Sequence, residues 1–220
     1  MGFVEDFFNT LQTYNETVLP VTVITLLLAI IVIYLVVKKS KQSSRIISSI
    51  LSFLWVWSAI VFFIAFFGAV EAEFLGFKLP GAWYLGGILF IVQSILLVVF
   101  GVTWSSLSFG IAGRMQSTVG ALMIIYAIII YPIIGFLTGL GYPKYPIFGT
   151  TPCPLTIFTL GLLQWTDRKM PTAVAIIPFV WALMGLMPVV ELKVWADVGL
   201  MLSGIVGFPL ILYYNTKLGN

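Results

Sequence analysis

The chain contains no histidine and a single cysteine among 220 residues, and only 9% of them are charged. The missing histidine removes the commonest metal ligand, the usual haem ligand and the most frequent general base. One cysteine excludes an intrachain disulfide and any multi-thiolate zinc or iron–sulfur centre. Soluble domains carry roughly 25% charged residues, so this surface is not built to face water. There is no Gly-rich phosphate loop, no Ser/His arrangement and no pair of intramembrane carboxylates for acid–base work. No reaction is readable here, and the leading expectation is a protein that is not an enzyme.

What the chain has instead is apolar length. Hydrophobic residues make up 60% of it, in runs of about 20 residues, each long enough to cross a hydrocarbon core about 30 Å thick. The runs fall at about 19–37, 46–70, 83–104, 118–140, 152–165, 172–190 and 194–214. They predict an all-α, polytopic membrane domain of seven transmembrane helices over residues 19–216. Residues 1–18 read separately. Phe3, Phe7, Leu11, Tyr14 and Val18 recur every three or four positions, with Glu5, Asn9, Gln12 and Glu16 on other faces. That is an amphipathic helix for the membrane interface, or a cap over the mouth of the bundle. The sequon Asn15-Glu16-Thr17 lies too close to the first span to favour glycosylation.

Orientation follows from basic residues. Lys38, Lys39, Lys41, Arg45, Arg114, Arg168, Lys169 and Lys217 follow the odd-numbered spans, eight of the eleven in the chain. The positive-inside rule places the N-terminus outside and the C-terminus in the cytoplasm. The net charge of +3 is therefore a matter of membrane orientation, and no nucleic-acid partner is expected. Seven of the eight acids lie on the outer side, all except Asp167. Glu71, Glu73, Glu191 and Asp197 read as a rim, with Glu71 and Glu191 abutting apolar runs. Spans one to three and five to seven share a plan: Val70-Glu71 matches Val190-Glu191, and Trp83 matches Trp195. A parallel 3+1+3 repeat with a site between the halves is one reading. Any odd-span protein obeying the orientation rule is the plainer one.

The most distinctive stretch is Phe148-Gly149-Thr150-Thr151-Pro152-Cys153-Pro154. Thr150 and Thr151 suit an N-cap and Pro152 suits the first helical position. Cys153 then falls at a helix start, where the dipole favours a thiolate. A small packing residue in a proline-framed helix start is the structural alternative. With Met184 and Met187 at the same depth, Cys153 also makes a candidate soft-metal set. Gln93 and Tyr131 are polar groups inside spans that need partners. No lysine in the seventh span can carry a retinal Schiff base. No resident cofactor is expected beyond a soft ion.

The residues Phe148-Gly149, Pro152-Cys153-Pro154, Thr156-Ile157-Phe158-Thr159 and Gly161-Leu162-Leu163 resemble the signature of a prokaryotic integral-membrane family known only as a domain of unknown function. The resemblance implies a multi-pass protein of the prokaryotic cytoplasmic membrane, with Pro152, Pro154 and Gly149 as structural hallmarks. It carries no activity. The functional expectation is binding or transport of a small solute or cation through an anionic outer mouth, at Cys153, Glu71, Glu191, Gln93, Tyr131 and Thr156. A redox or sensor component using Cys153 as a reactive thiol is one alternative. A non-catalytic accessory subunit is the other. The expected partners are the lipid bilayer and a small solute or cation; a homo-oligomer or a membrane partner protein is compatible with all three readings.

Overall fold

The computed structural model describes residues 2–111 and 114–217. Eight helices account for most of it. They are α1 (Phe3–Thr17), α2 (Leu19–Val37), α3 (Ser43–Phe66), α4 (Ala82–Thr103), α5 (Met115–Leu137), α6 (Pro152–Gln164), α7 (Ala173–Glu191) and α8 (Asp197–Lys217). Six of them, α2 to α5 with α7 and α8, are long and apolar enough to cross a membrane. The expected fifth span is shorter. Helix α6 has 13 residues, apolar but below spanning length. Between α3 and α4 the chain forms a small antiparallel hairpin, β1 (Ala72–Phe74) and β2 (Phe77–Leu79). The side chain of Arg114, counted above among the basic residues, lies outside the described residues.

Every residue of α6 is buried. It packs against α3, α5, α7 and α8, so it is the core of the bundle and the long helices are its wall. Helices that face lipid are apolar all round, and α2 fits this: Val23, Ile24, Leu27, Ile30 and Ile31 point away from the protein. Helix α6 instead carries small and hydroxylated residues that let neighbours approach. Trp55 on α3 donates from Nε1 to Thr159 Oγ1 at 3.0 Å, and Gln164 on α6 donates from Nε2 to the Gly207 carbonyl of α8 at 2.9 Å.

Helix α1 lies across one end of this bundle as a cap. Its apolar stripe, Phe7, Leu11 and Tyr14, is buried, while Glu5, Asn9 and Glu16 remain exposed. Phe7 meets Phe67 and Trp83 with ring centroids 5.1 and 6.0 Å apart, and Tyr14 meets Phe62 and Phe66 at 5.2 and 5.1 Å. Tyr14 donates its hydroxyl to the Thr150 carbonyl. Burial raises its pKa far above that of a free tyrosine, so it remains a donor. Asn15, the asparagine of the sequon, is fully buried and donates to the carbonyls of Pro143 and Tyr145 at 2.6 and 2.8 Å. Together these bonds tie α1 to the segment 138–151 that leads into α6. That segment turns at Gly149, whose φ of 79° suits glycine. A side chain there would also meet Thr25 of α2, since a Cβ would lie 2.5 Å from Thr25 Cβ.

The opposite end is fastened by charge. Lys39 pairs with Asp167, and a backbone bridge joins Phe109 to Thr166. Partial burial opposes the charge on Asp167, but the Lys39 ammonium and the neighbouring Ser108 hydroxyl outweigh it and hold the carboxyl below the ordinary carboxylate range. A folded-state value below the unfolded one means stabilisation that is complete above about pH 4 and is lost as pH falls through the folded value. Asp167→Asn is expected to cost only about 0.5 kcal/mol near neutral pH, because the pair is part-exposed and screened. Thermal melts of the two proteins in detergent should converge as pH is lowered through that range; a gap that widens there contradicts the assignment.

Candidate functional site

Beneath α1 the bundle holds a partly open cavity of about 130 Å³. Its roof is Phe7 and Leu11 from α1 with Ala72 and Leu79 from the hairpin. Its walls are Phe62, Trp83, Trp181 and Leu200, and its floor includes Pro152, Cys153 and Asp197 at the starts of α6 and α8. The lining is almost wholly apolar. An engineered cavity of about 150 Å³ holds a benzene molecule, so this one suits a guest of about six non-hydrogen atoms.

Asp197 is the exception in that lining. It is 1% exposed, and its Oδ1 accepts from the Tyr131 hydroxyl at 2.7 Å. Its Oδ2 is buried without a hydrogen-bond partner among the described residues, as is Trp181 Nε1 across the cavity. Cys153, 8% exposed, lies alongside the Asp197 carboxyl, Trp181 and Tyr131. A buried polar atom left unpaired costs about 1–3 kcal/mol, more when charged, so the place where one persists is a candidate for binding.

Local winding explains how the site is built. Residues Tyr126–Ile130 of α5 form a π turn, as do Ser58–Phe66 of α3 and Val98–Thr103 of α4. An i→i+5 turn draws residues five apart towards one face, and Tyr126 and Tyr131 are so spaced. Both reach the start of α8: Tyr126 donates to the Ala196 carbonyl at 2.8 Å, one residue before Tyr131's acceptor. Gly199 makes room for this, since a Cβ there would stand 2.1 Å from the Tyr126 ring. Tyr145 completes the group by donating to the Tyr131 carbonyl at 2.6 Å. Burial, reinforced by the Asp197 carboxyl, pushes the Tyr145 hydroxyl far above its ordinary range, which fixes it as a donor.

The sequence-derived site residues divide between this cavity and other places. Cys153, Met184 and Met187 share the cavity wall, and Tyr131 stands behind Asp197. Among the described residues no cluster of three or more His, Cys, Asp or Glu is arranged to hold a metal. Thr156 is fully buried and donates to the Pro152 carbonyl of its own helix at 2.8 Å. Gln93 donates to the Val174 carbonyl at 2.9 Å, away from the cavity. Glu71 is exposed and pairs with Lys78 at 2.6 Å, while Glu191 accepts from the Leu75 amide at 2.8 Å. Thr150 and Thr151 do not cap α6 with their hydroxyls; both turn back to the Ile147 carbonyl, at 3.4 and 2.7 Å. Pro152 does begin the helix.

A family model of unknown function, DUF6064, matches residues 4–219, which is nearly the whole chain. The chain belongs to that family. The match spans α1, the cavity and the basic end alike, so cap and bundle belong to one family unit. No curated protein and no solved structure matches.

Proposed function

We propose that this member of the family binds a small, largely apolar solute in the cavity under α1 and passes it across the membrane. The observation that supports this most is a partly open apolar space of about 130 Å³ with a buried, half-satisfied carboxyl in its lining. Pockets that bind small molecules are mostly apolar with a few convergent polar groups that fix orientation. An acidic side chain buried in a membrane domain is functional by default. By the distribution of basic residues, the α1 end faces outward and the C-terminus lies in the cytoplasm; the resemblance of the Pro-Cys-Pro stretch to a prokaryotic family is what suggests a prokaryotic membrane. The solute then reaches the site from outside, past α1 and the hairpin. Glu71 and Glu191 stand at the outer mouth, and Asp197 is the anchor within.

The test is binding to the protein in nanodiscs. A panel of charged and uncharged molecules of about six non-hydrogen atoms would be titrated against tryptophan fluorescence, since Trp83 and Trp181 line the cavity. At least one should bind and raise the melting temperature. Leu200→Trp, which fills the space, should abolish both responses, and with them flux of that molecule into proteoliposomes. A wild-type protein indifferent to the whole panel sinks the reading.

A further inference from the structure

Resting on that reading, we infer that the solute is a small organic ammonium ion: one cationic head on an apolar body of four or five carbons. Two features of the cavity lead there. The first is Asp197. Its Oδ1 already has the Tyr131 hydroxyl; its Oδ2 has no hydrogen-bond partner among the described residues, with only the weakly donating Cys153 thiol near the carboxyl. An unpaired carboxylate in an apolar wall is costly, and a cation beside it offsets the cost. The second feature is the ring of aromatic side chains. Phe7, Phe62, Trp83 and Trp181 line the same space from four different elements. Aromatic faces attract ammonium groups, most strongly where water is excluded, and several rings around one acidic group form the kind of cage that selects organic cations. An inorganic cation is poorly served here, because the lining offers it almost no oxygen ligands. A wholly apolar guest leaves Asp197 Oδ2 unpaired. An ammonium ion with an apolar body answers both features and fits the volume.

Isopentylammonium and isopentyl alcohol match in size and shape and differ in charge, so they separate this inference from the one beneath it. Both would be titrated into the nanodisc-embedded protein near neutral pH. The ammonium should bind at least tenfold more tightly than the alcohol. Asp197→Asn should weaken the ammonium tenfold or more and leave the alcohol within twofold. Trp83→Leu, which keeps the carboxyl, should weaken the ammonium severalfold with the alcohol again within twofold; it carries the test if Asp197→Asn does not fold. Alcohol binding equal to or tighter than ammonium binding overturns the cation while leaving a solute site in place. Binding of neither, with Leu200→Trp indistinguishable from wild type, overturns both.

Discussion

Tyr14→Ala is expected to turn Cys153 from a protected thiol into a reactive one, raising its rate of labelling by a membrane-impermeant maleimide on the order of 100-fold. The chain has one cysteine, so the signal has a single source. In the wild-type protein that thiol is buried under α1, so labelling is expected to require the cap to lift. Labelling of this kind follows the population of the open form. Tyr14 contributes a large fully buried side chain, two edge-on aromatic contacts and a hydrogen bond to Thr150. Truncating a buried aromatic costs about 3–5 kcal/mol, and about 2.7 kcal/mol already corresponds to a 100-fold change in population. Tyr14→Phe keeps the ring and loses only the hydroxyl, so it should raise the rate roughly tenfold or less. Rapid labelling of the wild type, or equal rates in all three proteins, would show that α1 does not guard the cavity.

The second large effect concerns the contact between α5 and α6. Gly120 and Gly161 bring the two backbones together: a Cβ on Gly120 would lie 2.7 Å from the Gly161 carbonyl oxygen, and one on Gly161 would lie 2.9 Å from the Gly120 carbonyl oxygen. Small residues serve this purpose in membrane bundles, where close packing and not water drives helices together. A clash with a side chain is relieved by a rotamer change; a clash with backbone is relieved only by moving a helix. Overpacking costs about 1–3 kcal/mol when side chains can adjust and more when they cannot. Gly120→Leu is therefore expected to yield no monodisperse folded protein on size exclusion in detergent. Gly141→Leu is the matched control, because nothing lies within 4 Å of a Cβ there and its φ does not call for glycine; it should elute and melt like the wild type. A folded Gly120→Leu with an unchanged melting temperature would refute the close approach.

These two regions differ in how far the sequence reveals them. The cap is legible, because Phe7, Leu11 and Tyr14 repeat at helical spacing and apolar residues at that spacing bury one face. The membrane class and six of the long helices are legible for the same reason: hydropathy acts over windows of about 20 residues and tolerates local irregularity. Asp197 is not legible as a buried group. It sits at the first turn of its helix, where a carboxyl is ordinarily solvated and complements the dipole. Its burial comes from elements remote in sequence, Tyr131 on α5 and Cys153 on α6 among them. Its link to Tyr131 is hidden as well. On a regular helix, Tyr126 and Tyr131 point in different directions, and only the π turn between them brings both to α8. Glu71 and Glu191 carry the stronger local signal, being acids next to apolar runs, yet at this rim each finds a partner, Lys78 and the Leu75 amide. The Pro-Cys-Pro stretch identifies a helix start correctly. It does not reveal that the whole helix beyond it is enclosed.

That enclosure bears on how the protein is made. At 1.5 Å per residue, the 13 residues of α6 extend about 20 Å, roughly 10 Å less than a bilayer's hydrocarbon core. The non-helical residues immediately before it, 145–151, are buried in protein except for the half-buried Ile147, the circumstance in which irregular backbone is tolerated at membrane depth. Helix α6 has no face that lipid ever contacts, so partitioning from the translocon into lipid is not what places it. Its enclosure is complete only once α7 and α8, which are synthesised later, have closed around it. Until α8 has been synthesised, the helix at the centre of this protein lacks one of its walls.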